Sequence, residues 1–255
     1  MLDYNRRPGI AERVNAAIDA ALIAEREATP PRTYLGASRL GHACERALQF
    51  EFAGAPKDEG AEFGGQTLRI FAIGHQLEDL AIRWLRAVGL DLYTRKGNRP
   101  DGEQFGFSVA GGRIRGHVDG IIASAPAPLG IGVPALWECK TMNAKNWRAC
   151  VKDGVAVAKL VYAAQIALYQ AYMEGTVPGI SANPALFTAI NKDTAELHHE
   201  LVPFDAGLAQ RMSDRGVRIL QATDAGELLP RLATNRDFFE CRFCPWAARC
   251  WGLPG

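Results

Sequence analysis

A mixed β-sheet flanked by helices is the fold class this sequence predicts, and two observations carry the prediction. Apolar residues recur every three to four positions near the start and again after residue 155, the period of amphipathic helices. Between Asp91 and Met142 the period drops to two, as in strands half-buried in a sheet. Helices, a strand cluster, then helix, strands and helix suit a mixed sheet between helical layers. With 255 residues, 48% of them hydrophobic, the chain can bury the core such a domain needs.

Taken in order, Ile10, Val14, Ile18 and Leu22 stand four apart and define a helix over 10–28, ended by Pro30 and Pro31. Ser38 can cap a short helix carrying Cys44, Leu48 and Phe52. After a polar, glycine-bearing loop over 54–65, a long helix runs over 67–88 and stops at Gly89. Gly74 inside it costs about 1 kcal/mol against alanine, so close packing or a ligand is its expected reason. Strands are expected at 92–95, 104–109, 113–122 and 135–141, with turns at 98–102 and at Gly111-Gly112. Proline and glycine make 125–134 a flexible connection. A helix over 155–174, strands at 185–191 and 197–204 around Lys192-Asp193, and a helix over 205–229 follow.

A formal net charge of +1 argues against an indiscriminate polycation but is compatible with a local basic groove. Residues 1–8 hold no apolar leader, and no apolar run approaches the roughly 18 residues of a membrane span. A cytoplasmic, reducing location is therefore expected, with no membrane partner and no disulfides among the six cysteines. Cys241, Cys244 and Cys250 form a C-x2-C-x5-C run, the spacing of a metal site. A tetrahedral site or cubane cluster wants four thiolates, and Cys44 is the best candidate for the fourth.

A second kind of chemistry sits in the strands. Side chains alternate along a strand, so in Trp137-Glu138-Cys139-Lys140 the carboxylate and the ammonium share one face. The strand that ends near Asp119 can pair back beside Glu138. Two carboxylates and a lysine at neighbouring strand ends suit Mg²⁺ or Mn²⁺, which lowers the pKa of a water and polarises a phosphoryl oxygen. His75, on the long helix, would favour Mn²⁺. Tyr162, Gln165, Tyr169 and Tyr172 form one polar-aromatic stripe on the 155–174 helix, able to bond a phosphate and stack on a base.

These pieces together resemble the PD-(D/E)XK nucleases of the RecB branch: Gly-His-Val-Asp119-Gly, Trp-Glu138-Cys-Lys140-Thr, Gln165-Ile-Ala-Leu-Tyr169, and His75 in Ile-Gly-His. Cys44 with the cysteine tail makes the chain similar to the iron–sulfur subgroup that includes the CRISPR-associated RecB-like exonuclease and the AddB-type nucleases. The resemblance spans 38–250 and implies a restriction-endonuclease-like core over about 67–230 of a single nuclease domain, 1–255. It also implies an iron–sulfur subdomain made of about 34–54 with 231–255, in which Cys44, Cys241, Cys244 and Cys250 hold a [4Fe–4S] cluster. His75, Asp119, Glu138 and the Cys139 carbonyl would hold Mn²⁺ or Mg²⁺. Lys140 would be catalytic, with Gln165 and Tyr169 supporting site and substrate. One departure is the long Asp119-to-Glu138 connection, with its Ala-Pro-Ala-Pro-Leu-Gly insert.

The activity so implied is a DNA exonuclease on single-stranded ends that leaves 5′-phosphates. No G-x4-G-K-[ST] helicase motif is present, so the single strand would come from a helicase, a recombinase or a CRISPR adaptation partner. Plainer readings stand beside these. Asp119 could be a turn residue, Glu138 and Lys140 a surface pair, His75 a structural histidine and the tyrosines core packing. The cysteines could bind zinc. The whole chain could be a DNA-end scaffold with a vestigial metal site.

Overall fold

The period-two stretch does form strands, but they divide between two sheets. A computed structural model of the chain describes residues 7–99 and 101–253; residues 1–6, Pro100 of the expected turn, and residues 254–255 of the expected cysteine subdomain lie outside these residues. The elements in order are α1 (Ile10–Ala28), β1 (Leu35–Gly36), α2 (Glu45–Phe52), α3 (Gly65–Ala87), β2 (Asp91–Tyr93), β3 (Gly106–Val109), β4 (Ile114–His117), β5 (Gly120–Ser124), β6 (Ala135–Met142), α4 (Ala144–Asp153), α5 (Val155–Ala158), α6 (Leu160–Met173), β7 (Ala185–Asn191), β8 (Leu197–Val202), α7 (Ala206–Asp224), α8 (Phe239–Arg242) and α9 (Ala247–Gly252).

One sheet has the order β1-β4-β3, the other β2-β5-β6-β7-β8. Both are mixed, because β1 runs parallel to β4 and β6 parallel to β7 while the remaining pairs are antiparallel. The mixed α/β architecture flanked by helices is therefore as expected, but the single strand expected over 113–122 is broken. Its first half, β4, alternates buried and exposed residues; its second half, β5, opens with three consecutive buried ones because it runs inside the larger sheet. The chain crosses from one sheet to the other at Val118 and Asp119.

β6 is the central strand and is covered on both faces. Trp137 and Cys139 pack with Leu186, Ile190 and residues Ala81 and Leu85 of α3. Leu136 and Met142 pack toward Ile166 and Leu168 of α6, with Phe187 and Ala189 of β7. Burying each large apolar side chain here contributes roughly 1.5–3 kcal/mol.

Three further differences from the expected elements have local causes. The short helix begins at Glu45 rather than Ser38, because a turn of 3-10 helix at Ala37–Arg39 intervenes and Cys44 takes the N-cap position. The 155–174 helix is split at Lys159, whose non-helical backbone (φ −146°, ψ 68°) separates α5 from α6. α4 went unread, although Asn143 caps it by accepting from the Asn146 amide and Gly154 ends it at φ 75°. α1 is amphipathic but buries nothing: Ile10, Val14 and Ile18 are exposed, and the helix lies against α3, where Asp19 pairs with Arg69.

Candidate active site

The crossing at Asp119 and the register of β6 build the site. Gly120 is paired with Trp137, so Asp119 falls beside the next residue along β6, Glu138. The Cys139 amide donates to Asp119 Oδ2 at 2.8 Å, which fixes that carboxylate and leaves its other oxygen available. Lys140 Nζ donates to Glu138 Oε1 and, at 3.2 Å, to the Cys139 carbonyl, and stands 3.9 Å from Asp119 Oδ2. From α6, Gln165 Nε2 donates to the same Glu138 Oε1 at 2.6 Å. The Lys140 ammonium also lies over the Tyr162 ring, 5.6 Å from its centre.

These groups open onto a cleft of about 1390 Å³ whose walls include His75, Asp119, Cys139, Lys140, Gln165 and Tyr169. Glu138 is fully buried directly behind that wall. His75 is exposed on α3, and Gly74 beside it also lines the cleft, where a β-carbon would stand 3.5 Å from the Thr141 hydroxyl, an ordinary contact. The sequence-expected catalytic residues thus meet in one place. The aromatic stripe does so only partly. Tyr169 is buried edge-on against Phe107, 5.3 Å between ring centres, and Tyr172 packs on the same ring at 4.8 Å, with its hydroxyl 2.7 Å from Ser213 Oγ. Those two rings are engaged within the protein.

One acidic residue was missed. Glu78 lines the cleft one helical turn beyond His75, and the Asp119 charge reaches it. Burial first, then Asp119, raises its pKa to about 7. Burial and then Asp119 likewise raise Glu138, to about 8, against the opposing pull of Lys140. Burial would lower the Lys140 ammonium, but Glu138 and Asp119 outweigh it and hold the pKa up. The His75-x-x-Glu78 spacing was a usable signal, since residues three apart share a helix face.

Among the described residues, no three His, Cys, Asp or Glu side chains stand close enough to hold a metal ion as they are. The donor set nevertheless suits a hard divalent cation. Glu138 Oε2 is buried and has no hydrogen-bond partner among the described residues, an arrangement that costs free energy unless something positive engages it. Three carboxylates facing one ammonium leave the site electron-rich, and oxygen donors are what Mg²⁺ and Mn²⁺ prefer.

The cysteines build a second place. Cys44, at the start of α2, and Cys241, Cys244 and Cys250 of the tail all line one cavity of about 230 Å³. The tail is held there by ordinary packing and hydrogen bonds. Trp246 packs on Ala47 and Phe50, ring centres 6.3 Å apart, and its indole N–H donates to the Ala55 carbonyl at 2.9 Å. The Ala248 and Arg249 amides bond the Asp58 carboxylate at 2.6 and 3.1 Å. Burial, and then the charges of the other cysteines, raise the Cys244 and Cys241 thiols. The expected four-cysteine site is thus assembled only as a shared lining: among the described residues these thiols do not stand close enough, as they are, to hold a metal ion. Cys139 and Cys150 are buried in the core, as expected of small apolar residues.

No family model matches the chain, and no curated protein matches it by sequence. Solved structures share its fold. The protein SSO0001 matches at 14% identity over 93% of this chain and 96% of its own, with a TM-score of 0.50. An alkaline exonuclease from Laribacter hongkongensis, LHK-Exo, matches at 14% identity over 81% of this chain and 93% of its own, also with a TM-score of 0.50. The architecture is consistent with the restriction-endonuclease-like nuclease fold. No helix among the described residues is long and apolar enough to cross a membrane.

Proposed function

We propose that this chain is a divalent-metal-dependent DNA exonuclease that hydrolyses phosphodiester bonds at single-stranded ends. The observation that carries the reading is the meeting of Asp119, Glu138 and Lys140 at the crossing between the two sheets, tied together by the Cys139 amide. The fold shared with an alkaline exonuclease supports it. Asp119 and Glu138 would hold the cation, with His75 and the Cys139 carbonyl as further donors and Glu78 near enough to add charge. When bound, the cation polarises a phosphoryl oxygen and lowers the pKa of a water. Lys140 orients that water and stabilises the charge that grows on phosphorus. Gln165 holds the Glu138 carboxylate in place. The water oxygen bonds to phosphorus, the bond from phosphorus to the 3′-oxygen breaks, and the products carry a 5′-phosphate and a 3′-hydroxyl.

The whole chain acts as one nuclease domain in this reading, with its core over about 67–230. Residues of about 34–54 and 231–255 together form the cysteine subdomain, and Cys44, Cys241, Cys244 and Cys250 hold a [4Fe–4S] cluster, as in the RecB-like branch. The single strand is supplied by a separate helicase, recombinase or CRISPR adaptation complex.

Digestion of end-labelled oligonucleotides in Mn²⁺ and in Mg²⁺ tests the activity. Metal-dependent release of 5′-mononucleotides from single strands, with a blunt duplex cut more slowly, is the expected result. Binding without cleavage in either metal would hand the chain to the scaffold reading.

A further inference from the structure

We propose that Phe239, on α8 of the cysteine tail, is a base-stacking platform for the strand held in the cleft; the inference rests on the nuclease reading. Phe239 is 62% exposed and forms a tilted pair with Phe243, 73% exposed, with ring centres 5.1 Å apart. Two large aromatics left together in water need a reason, because exposed apolar patches mark binding surfaces. Phe243 lines the cysteine cavity and not the catalytic cleft, whereas Phe239 lines both. Phe243 therefore braces a ring that faces the reaction site.

The surroundings choose the occupant. Arg32, Arg39, Arg95, Arg115 and Lys159 line the same cleft, a run of cations suited to a phosphate backbone. At about 1390 Å³ the cleft exceeds the 300–1,000 Å³ typical of a small-molecule pocket, so a polymer fits it better than a single metabolite. A cationic groove with an exposed aromatic wall is how proteins bind single strands without reading their sequence. The tyrosines of α6 do not meet that need fully, since Tyr169 and Tyr172 pack against Phe107. Phe239 presents the ring that they withhold.

Fluorescence anisotropy with labelled oligonucleotides, in Ca²⁺ to prevent cutting, tests this on the full chain. Phe239→Ala is expected to weaken binding of a single-stranded oligonucleotide roughly five- to 150-fold, the effect of losing one base–aromatic stack. Phe239→Trp should restore it. On an oligonucleotide whose residues are abasic, wild type and Phe239→Ala should bind alike, because no base is there to stack. Metal content equal to wild type shows that the tail of Phe239→Ala is still seated. If Phe239→Ala binds the normal strand as tightly as wild type, or loses equally on both strands, the platform is refuted while the nuclease assignment stands. A wild-type protein that binds no single strand refutes the underlying reading, and the platform with it.

Discussion

The backbone amide of Cys139 reaches across from β6 to the carboxylate of Asp119, 2.8 Å away. Asp119 is where the chain passes from the smaller sheet to the larger, so this bond ties the sheet crossing to the strand that carries Glu138 and Lys140. The geometry of the candidate site and the division of the fold into two sheets are thus one arrangement.

Replacing Asp119 or Lys140 with alanine should abolish cleavage without unfolding the chain, since both side chains sit at the cleft wall rather than in the core. Loss of a metal donor or of charge stabilisation at phosphorus costs several kcal/mol, roughly a thousandfold in rate. Oligonucleotide digestion in Mn²⁺ measures it, with circular dichroism to confirm the fold; wild-type rates from Lys140→Ala would dismiss the site.

Gln165→Leu should act less severely. It removes the 2.6 Å bond that orients Glu138 Oε1 but leaves the Lys140 contact. Groups that position a metal donor typically matter about 10–100-fold, so activity should fall by that range and be partly recovered at higher Mn²⁺. A loss as deep as that of Asp119→Ala, with no response to metal, would contradict a positioning role.

Stability should fall as pH rises in divalent-free buffer. Glu78 and Glu138 hold protons to about pH 7 and 8 in the folded chain, against their ordinary 4.5. Between these limits the folded state binds more protons than the unfolded one, so each step up in pH disfavours folding and the penalty is complete above about pH 8. The melting temperature should therefore drop from pH 5 to 8 and be recovered at pH 8 by Mn²⁺. Glu78→Gln should flatten the profile and raise the melting point at pH 8, by about 2–4 °C for each kcal/mol relieved. A flat wild-type profile would show that these carboxyls do not share charge.

For the cysteine cavity, iron, sulfide and zinc content on anaerobically purified protein separates the two kinds of occupant. About four irons with sulfide, and a brown colour, are expected for a [4Fe–4S] cluster. Cys244→Ala should lose it and lower stability. Cys150→Ala, in the core against Met142, should keep it and cost only a small cavity. One zinc without sulfide would assign a zinc site instead.

Much of this was readable from residue order. Alternation along Trp137-Glu138-Cys139-Lys140 placed the carboxylate and the ammonium on one face, and the turn-rich connection let Asp119 return beside them. The spacing of Glu78 from His75 was readable, but its burial near Asp119 was not, because a glutamate on the polar side of an amphipathic helix looks solvated until the fold encloses it. The break at Asp119 was hidden too. Ile114, Gly116, Val118 and Gly120 are all buried and continue one alternation through the crossing, so hydrophobic pattern alone sees a single strand. The inward turn of Tyr169 depended on Phe107, more than fifty positions away in sequence and beyond the reach of any helical periodicity.

The Trp246 indole bonds the carbonyl of Ala55, a residue 191 positions earlier. A ribosome adding about 5–20 residues per second therefore takes roughly 10–40 s to supply the cover for Ala47 and Phe50. Through that interval the Ala47 and Phe50 side of α2 waits for its cover, while Leu48 already has the main core to pack into. The nascent protein is in this respect a client for chaperones until Trp246 emerges, and its cysteine cavity closes only after every strand of both sheets has been made.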